Sequence, residues 1–203
     1  MQVIYNGIDL EVFKPRKSDF RKKFNIENKF IILGVANVWV QRKGFDYFIK
    51  LSQRLSDDEV IVLVGLNDKQ LKLLPKNVIG IKRTSKFEEL VEIYSSADVF
   101  VNPTLEDNFP TTNIESLACG TPVITFDSGG SPECLDEKCG YVIKKGDFKE
   151  LYKKILEVKK QGKNYFSEFC IKQSKKFDKN KRFEEYINLY REIYESFNNN
   201  SSL

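Results

Sequence analysis

Phe30-Ile31-Ile32-Leu33-Gly34-Val35 is an apolar run of strand length, rich in branched side chains and without a polar residue to mark a solvent face. A strand that is apolar on both sides belongs inside a parallel sheet covered by helices above and below. A helical pattern follows from Gly44 to about Leu55, so the unit is strand, loop and crossover helix. The unit recurs outward along the chain. A strand at Val60–Val64 is followed by a helix at Asp68–Leu74, a strand at Val78–Ile81 by a helix at Lys86–Ser96, and a fourth strand spans Val99–Asn102. This alternation predicts an α/β protein built on a doubly wound parallel sheet.

The second half completes the pattern. A polar loop, Pro103–Asn108, leads into a helix from about Pro110 to Cys119, where Gly120 supplies the stop. Thr121–Phe126 reads as a fifth strand, Asp127–Pro132 as a turn rich in glycine and serine before a short helical stretch, and Gly140–Ile143 as a sixth strand. From Asp147 the pattern is helical. Phe183, Ile187, Tyr190 and Tyr194 recur at three- and four-residue spacing, one apolar face for packing on the sheet or on a missing neighbour. The expected architecture is a Rossmann-like sheet of about six strands with helices on both faces and additional C-terminal helices, over residues 29–197. Residues 1–28 are expected to lead into it, and the tail Asn198–Leu203 is expected to be disordered. Ligands of such sheets bind beyond the carboxyl ends of the strands, which selects the loops Ala36–Lys43, Leu66–Asp68, Lys82–Ser85, Pro103–Asn108 and Asp127–Ser131.

The 203 residues, 41% hydrophobic and 31% charged, suffice for one domain with terminal additions rather than two full domains. The 33 basic and 29 acidic residues leave a formal charge of +4, which calls for no polyanionic partner such as nucleic acid. No run reaches the roughly 18 apolar residues of a membrane span, and Met1–Gly7 lacks the regions of a signal peptide, so a cytoplasmic location is expected. Cys119, Cys134, Cys139 and Cys170 lack the spacing of metal or redox motifs and read as free thiols; no metal site is expected. Histidine is absent, which excludes a Ser-His-Asp triad within this chain and leaves chemistry to carboxylates, lysine, arginine and backbone dipoles.

The most informative segment is Glu106-Asp107-Asn108-Phe109-Pro110-Thr111-Thr112-Asn113-Ile114-Glu115-Ser116-Leu117-Ala118-Cys119-Gly120. Two adjacent carboxylates occupy a loop, Pro110 opens a helix, and a third carboxylate lies inside that helix. Amides at the helix start, with the Thr111 and Thr112 hydroxyls, form an anion site fit for a diphosphate. Glu115 suits the vicinal hydroxyls of a ribose, because a carboxylate accepts two hydrogen bonds at once, and Asp107 suits the hydroxyls of a sugar. The plainer alternative is helix-start acids and a solvated glutamate.

This segment resembles the signature of glycosyltransferase family 4, in which two glutamates separated by seven residues precede a small-residue helix ending Ala-Cys-Gly-Thr-Pro-Val. Asp107 and Glu115 hold that spacing, with Asp at the first position, Glu106 just before it and Pro110 where glycine is usual. Val3–Phe13 resembles the segment entering the second domain of these enzymes. Lys43-Gly44, Ala97–Pro103 and Gly129–Glu133 continue the likeness to about residue 145.

The resemblance implies a GT-B fold, of which this chain is the C-terminal, nucleotide-sugar-binding half, and a bacterial enzyme retaining anomeric configuration without metal or other cofactor. It implies that Lys43 neutralises the donor diphosphate, Glu115 binds the ribose, and Asp107 or Glu106, with the amides and side chains of Asn108, Phe109, Thr111 and Thr112, holds the sugar and phosphates. Lys82-Arg83-Thr84 would lie near the nucleotide base. The family's arginine five residues before the lysine is Val38 here, and Arg42 is the candidate to replace it. Trp39 packs under the loop or faces the ligand, and Gly129-Gly130-Ser131 makes a tight turn or touches the donor.

The acceptor is expected to sit on an absent N-terminal domain, so this chain alone is expected to show negligible turnover. The basic helices after Asp147 face solvent or touch a membrane surface in the full protein. The rival class is a noncatalytic binding module with a decayed donor site, which the missing arginine favours and the retained Lys43, Asp107 and Glu115 oppose. A dinucleotide-dependent dehydrogenase is excluded by Gly34-Val35-Ala36-Asn37-Val38-Trp39, which lacks the three-glycine spacing, and no Gly-Lys-Ser/Thr loop marks a nucleoside triphosphatase.

Overall fold

The computed structural model describes residues 2–200, the last two as backbone only. Six parallel strands form one sheet: β1 (Phe30–Val35), β2 (Glu59–Val64), β3 (Val78–Ile81), β4 (Val99–Asn102), β5 (Val123–Phe126) and β6 (Gly140–Ile143), in the order β3-β2-β1-β4-β5-β6. The helices are α1 (Phe20–Lys23), α2 (Phe45–Ser52), α3 (Asp68–Lys72), α4 (Phe87–Ser96), α5 (Thr111–Ala118), α6 (Phe148–Gln161), α7 (Lys163–Ser174) and α8 (Lys179–Asn200). They cover both faces, as the doubly apolar strands require. β1 is central, paired with β2 from Phe30↔Glu59 to Val35↔Val64 and with β4 from Ile32↔Val99. Ile31, Ile32 and Leu33 are fully buried, and so are Phe48 and Leu51 of α2.

The strand order reverses between β1 and β4. Connections leave these two strands in opposite directions, so the loops at their carboxyl ends part and open a crevice.

Element ends depart from the sequence reading where a local contact intervenes. β5 begins at Val123, because Thr121 is held by its N–H on the Ser116 carbonyl and by its hydroxyl on the Tyr94 carbonyl, and Pro122 has no N–H to give the ladder. α3 stops at Lys72, shortly before Pro75. α8 runs on to Asn200, so the expected disorder from Asn198 does not begin there; residues 201–203 lie outside the described residues.

The apolar stripe of α8 is not packed on the sheet. Phe183, Tyr190, Tyr194 and Phe197 are between 58% and 69% exposed. The start of α8 is instead tied to the N-terminal segment: Ile8 pairs with Asp178, Lys179 bonds Asp9 at 2.5 Å, and Tyr5 meets Phe177 edge-on at 6.0 Å between centroids.

Candidate functional site

The loop leaving β1 forms one wall of the crevice. Trp39 is buried beneath it, its indole N–H donating to the Val64 carbonyl at 2.8 Å and its ring meeting Phe48 edge-on at 5.4 Å. Gln70 closes the other side: it forms a capping box with Asn67 at the start of α3 and donates from Nε2 to the Trp39 carbonyl at 2.8 Å. The β1 loop meets the β4 loop at Gly44. Its φ is +77°, and a Cβ there would lie 2.2 Å from the Pro103 carbonyl oxygen, so only glycine permits the approach. Leu105 N–H and the buried Thr104 hydroxyl both donate to the Arg42 carbonyl, at 2.7 and 3.2 Å.

That approach brings Lys43 to Asp107, and the two form an ion pair, both side chains mostly shielded from solvent. The adjacent acid is turned away: Glu106 is exposed, its carbonyl accepting from Arg42 Nη1 at 3.1 Å. The loop that presents Asp107 to Lys43 is held by the backbone. Gly130 N–H donates to the Asp107 carbonyl at 3.2 Å, and side chains at Gly129 or Gly130 would lie 1.9 Å from the Asp107 or Asn108 carbonyl oxygen. The glycine turn therefore braces the acid loop from behind and does not line the crevice. A buried amide chain anchors the same region: Asn102 donates to Asn113 Oδ1 at 2.8 Å, and Asn113 donates to the Ser131 carbonyl at 3.1 Å.

α5 begins at Thr111 after Pro110, and no side chain caps it, so its first amides remain available at the crevice. One turn further in, Glu115 accepts a hydrogen bond from the Tyr94 hydroxyl at 3.0 Å and is within reach of the Thr111 side chain. Burial pushes the Glu115 carboxyl above the usual carboxylate range, and the bonds from Tyr94 and Thr111 oppose that rise.

Two contiguous cavities, of about 980 and 580 Å³, fill the crevice and share the wall Val35–Trp39 and the α5 start at Thr111 and Thr112. The larger extends over Glu115 to Arg83, Thr84 and Phe87; the smaller over Lys43, Arg42, Asp107 and Phe109. Together they gather nine of the expected residues: Arg42, Lys43, Arg83, Thr84, Asp107, Phe109, Thr111, Thr112 and Glu115. The side chains of Glu106 and Asn108 are exposed and line neither cavity. Val38, in place of the arginine, is 57% exposed and lines both. Sequence reasoning missed Tyr94 and Gln70, whose partners lie 21 and 31 positions away. Among the described residues no group of three His, Cys, Asp or Glu side chains could hold a metal ion, and the four cysteines are free and buried. No helix among them is long and apolar enough to cross a membrane.

A parallel sheet with its crevice at the strand-order reversal, lined there by a lysine, two acids and an uncapped helix start, defines a Rossmann-like domain whose crevice has the chemistry to take an anionic, hydroxyl-rich ligand. Residues 29–161, more than half of the chain, match the family of glycosyl transferases group 1, and the chain belongs to that family. It is 29% identical over 200 residues to N,N'-diacetylbacillosaminyl-diphospho-undecaprenol alpha-1,3-N-acetylgalactosaminyltransferase of Campylobacter jejuni, covering 91% of this chain and 52% of that protein. It is 30% identical over 148 residues to the O-antigen biosynthesis glycosyltransferase WclY of Escherichia coli, covering 68% and 40%. The fold matches Anabaena HepE, solved with UDP-glucose, at a TM-score of 0.81 and 20% identity over 94% of this chain and 57% of that one. A C-terminal domain of a group 1 glycosyl transferase from Francisella tularensis matches over 84% of this chain and 97% of its own, at 18% identity and a TM-score of 0.69. The chain spans about half the length of the curated relatives it matches.

Proposed function

We propose that this chain is the donor-binding half of a retaining glycosyltransferase that moves a sugar, of hexosyl type, from a nucleotide diphosphate donor to a saccharide or lipid-linked acceptor in surface polysaccharide synthesis. The observation that carries the reading is the line of groups along one crevice. Arg83, Thr84 and Glu115 line the larger cavity, the α5 start is shared by both, and Lys43 and Asp107 line the smaller. That order matches base, ribose, diphosphate and sugar.

Lys43 is paired with Asp107. An arriving diphosphate gives Lys43 a second anionic partner and releases Asp107 lone pairs to sugar hydroxyls. As the bond to the sugar breaks, negative charge grows on the diphosphate, where Lys43 and the fixed dipoles of α5 stabilise it without reorganisation. Arg42 stands at the cavity rim beside Lys43 and assists from there.

The acceptor would come from the half of the protein that this chain does not contain. Two features support that arrangement: the chain spans about half of its relatives, and α8 leaves an apolar face uncovered. α8 carries four basic and four acidic residues, a balance suited to a protein neighbour rather than to an anionic lipid surface. In this reading the enzyme works on the cytoplasmic side, at the membrane when its acceptor is lipid-linked, and this chain alone does not turn over. One observation favours the rival reading of a decayed binding module: Val38 occupies the phosphate end of the crevice where a cation is expected.

Calorimetric titration with UDP, GDP, ADP and CMP separates the two. The donor reading expects selective binding of one base, and the decayed module expects none.

A further inference from the structure

We infer that Tyr94 is a positioning residue of the nucleotide site, fixing the Glu115 carboxylate so that its free lone pairs meet the two ribose hydroxyls. The inference rests on the donor-site reading above and goes beyond it, because Tyr94 itself does not line the crevice.

Tyr94 is fully buried although it carries a hydroxyl, and a buried hydroxyl is retained at a cost unless it is hydrogen-bonded. Its partner is Glu115 Oε2, at 3.0 Å. The ring has no freedom to swing away. It packs edge-on against Phe100 at 5.6 Å and Phe13 at 6.5 Å, and its backbone carbonyl is held by the Thr121 hydroxyl at 2.7 Å. α4 thus delivers a rigid donor from beneath the crevice to a carboxylate on α5. The Tyr94 hydroxyl and the Thr111 side chain together take part of that carboxylate's accepting capacity. The remaining lone pairs are left to the crevice that Glu115 lines, and a carboxylate held in place loses little rotational freedom when it accepts hydroxyls there. Removal of the hydroxyl frees the carboxylate to turn and withdraws one of the bonds that keep it ionised in its buried setting.

The test is calorimetry on the wild-type chain, Tyr94→Phe, Glu115→Gln and the double variant. The probes are UDP, GDP and ADP and their 2',3'-dideoxy counterparts. Phenylalanine keeps the ring and its packing, and a melting curve checks that the fold is kept. The expected result is a loss of about tenfold in ribonucleotide affinity for Tyr94→Phe, no change for the dideoxy nucleotide, and no further loss when Tyr94→Phe is added to Glu115→Gln. Unchanged ribonucleotide binding in Tyr94→Phe, or an equal loss for both nucleotides, overturns the inference. Should the single variant unfold around a carboxylate that has lost one of its bonds, the double variant removes that carboxylate. Its binding must then equal that of Glu115→Gln, and a further tenfold loss overturns the inference. Binding of none of the three by the wild-type chain is a different failure: it removes the donor-site reading and this inference with it.

Discussion

The crevice and helix α8 are finished to different degrees. In the crevice Lys43 holds Asp107, Tyr94 holds Glu115, Gln70 holds the Trp39 carbonyl, and two glycines brace the acid loop. Along α8 the large side chains Phe183, Tyr190 and Tyr194 stand mostly in solvent. An ion pair or a buried hydroxyl formed inside the chain needs nothing further to persist, whereas an apolar stripe gains stability only when another surface removes it from water. On the proposed reading the difference teaches that the donor crevice is complete within this chain, while α8 is left for a neighbouring surface to cover.

The largest effect expected is in the floor beneath the crevice. Phe48→Ala removes a fully buried ring under Trp39 and β1, and should cost about 3–5 kcal/mol in urea unfolding. A loss near 1 kcal/mol would mean that the finished half is far more pliable than its packing indicates.

A smaller effect is expected from Lys163 at the start of α7. Burial lowers its ammonium to about 8, outweighing the attraction of Asp98, while Nζ donates to the Ser95 carbonyl at 2.6 Å. The unfolded chain, with an ordinary lysine, binds more protons between about pH 8 and 10.4, so this group makes stability rise with pH across that window. The contribution is at most about 3 kcal/mol, and it should disappear in Lys163→Met. Parallel stability curves for the variant and the wild type from pH 8 to 10 would contradict the placement of Lys163.

The smallest effect belongs to the unfinished region. Tyr190→Ser with Tyr194→Ser should change the stability of this chain by less than about 0.5 kcal/mol each, since both rings are already in water. In the full-length protein the same pair should cost several times more. Equal small effects in both settings would break the comparison.

Much of this was legible in the sequence, for identifiable reasons. β1, β3, β4 and β6 were found to the residue, because an apolar run bounded by turn residues marks a buried strand. Lys43, Asp107 and Glu115 could be picked out because a helix start and a fixed spacing carry them locally. Which of the two acids pairs with Lys43 was not legible: Asp107 does, in a loop held by a backbone bond from Gly130, which approaches through the fold. Tyr94 was hidden for the same reason, since its contact with Glu115 depends on how α4 packs on α5. The path of α8 was also out of reach, because periodicity shows that a face is apolar and not what covers it.

The central claim is that Lys43 serves the diphosphate end of a nucleotide site carried by this chain. It is tested most directly by the affinities of nucleoside, monophosphate and diphosphate, for the base that binds, with the wild-type chain and Lys43→Ala. The account predicts that the diphosphate binds the wild type at least about tenfold more tightly than the monophosphate, that Lys43→Ala abolishes this advantage, and that nucleoside affinity is unchanged. A diphosphate advantage that survives the loss of Lys43 would contradict the account.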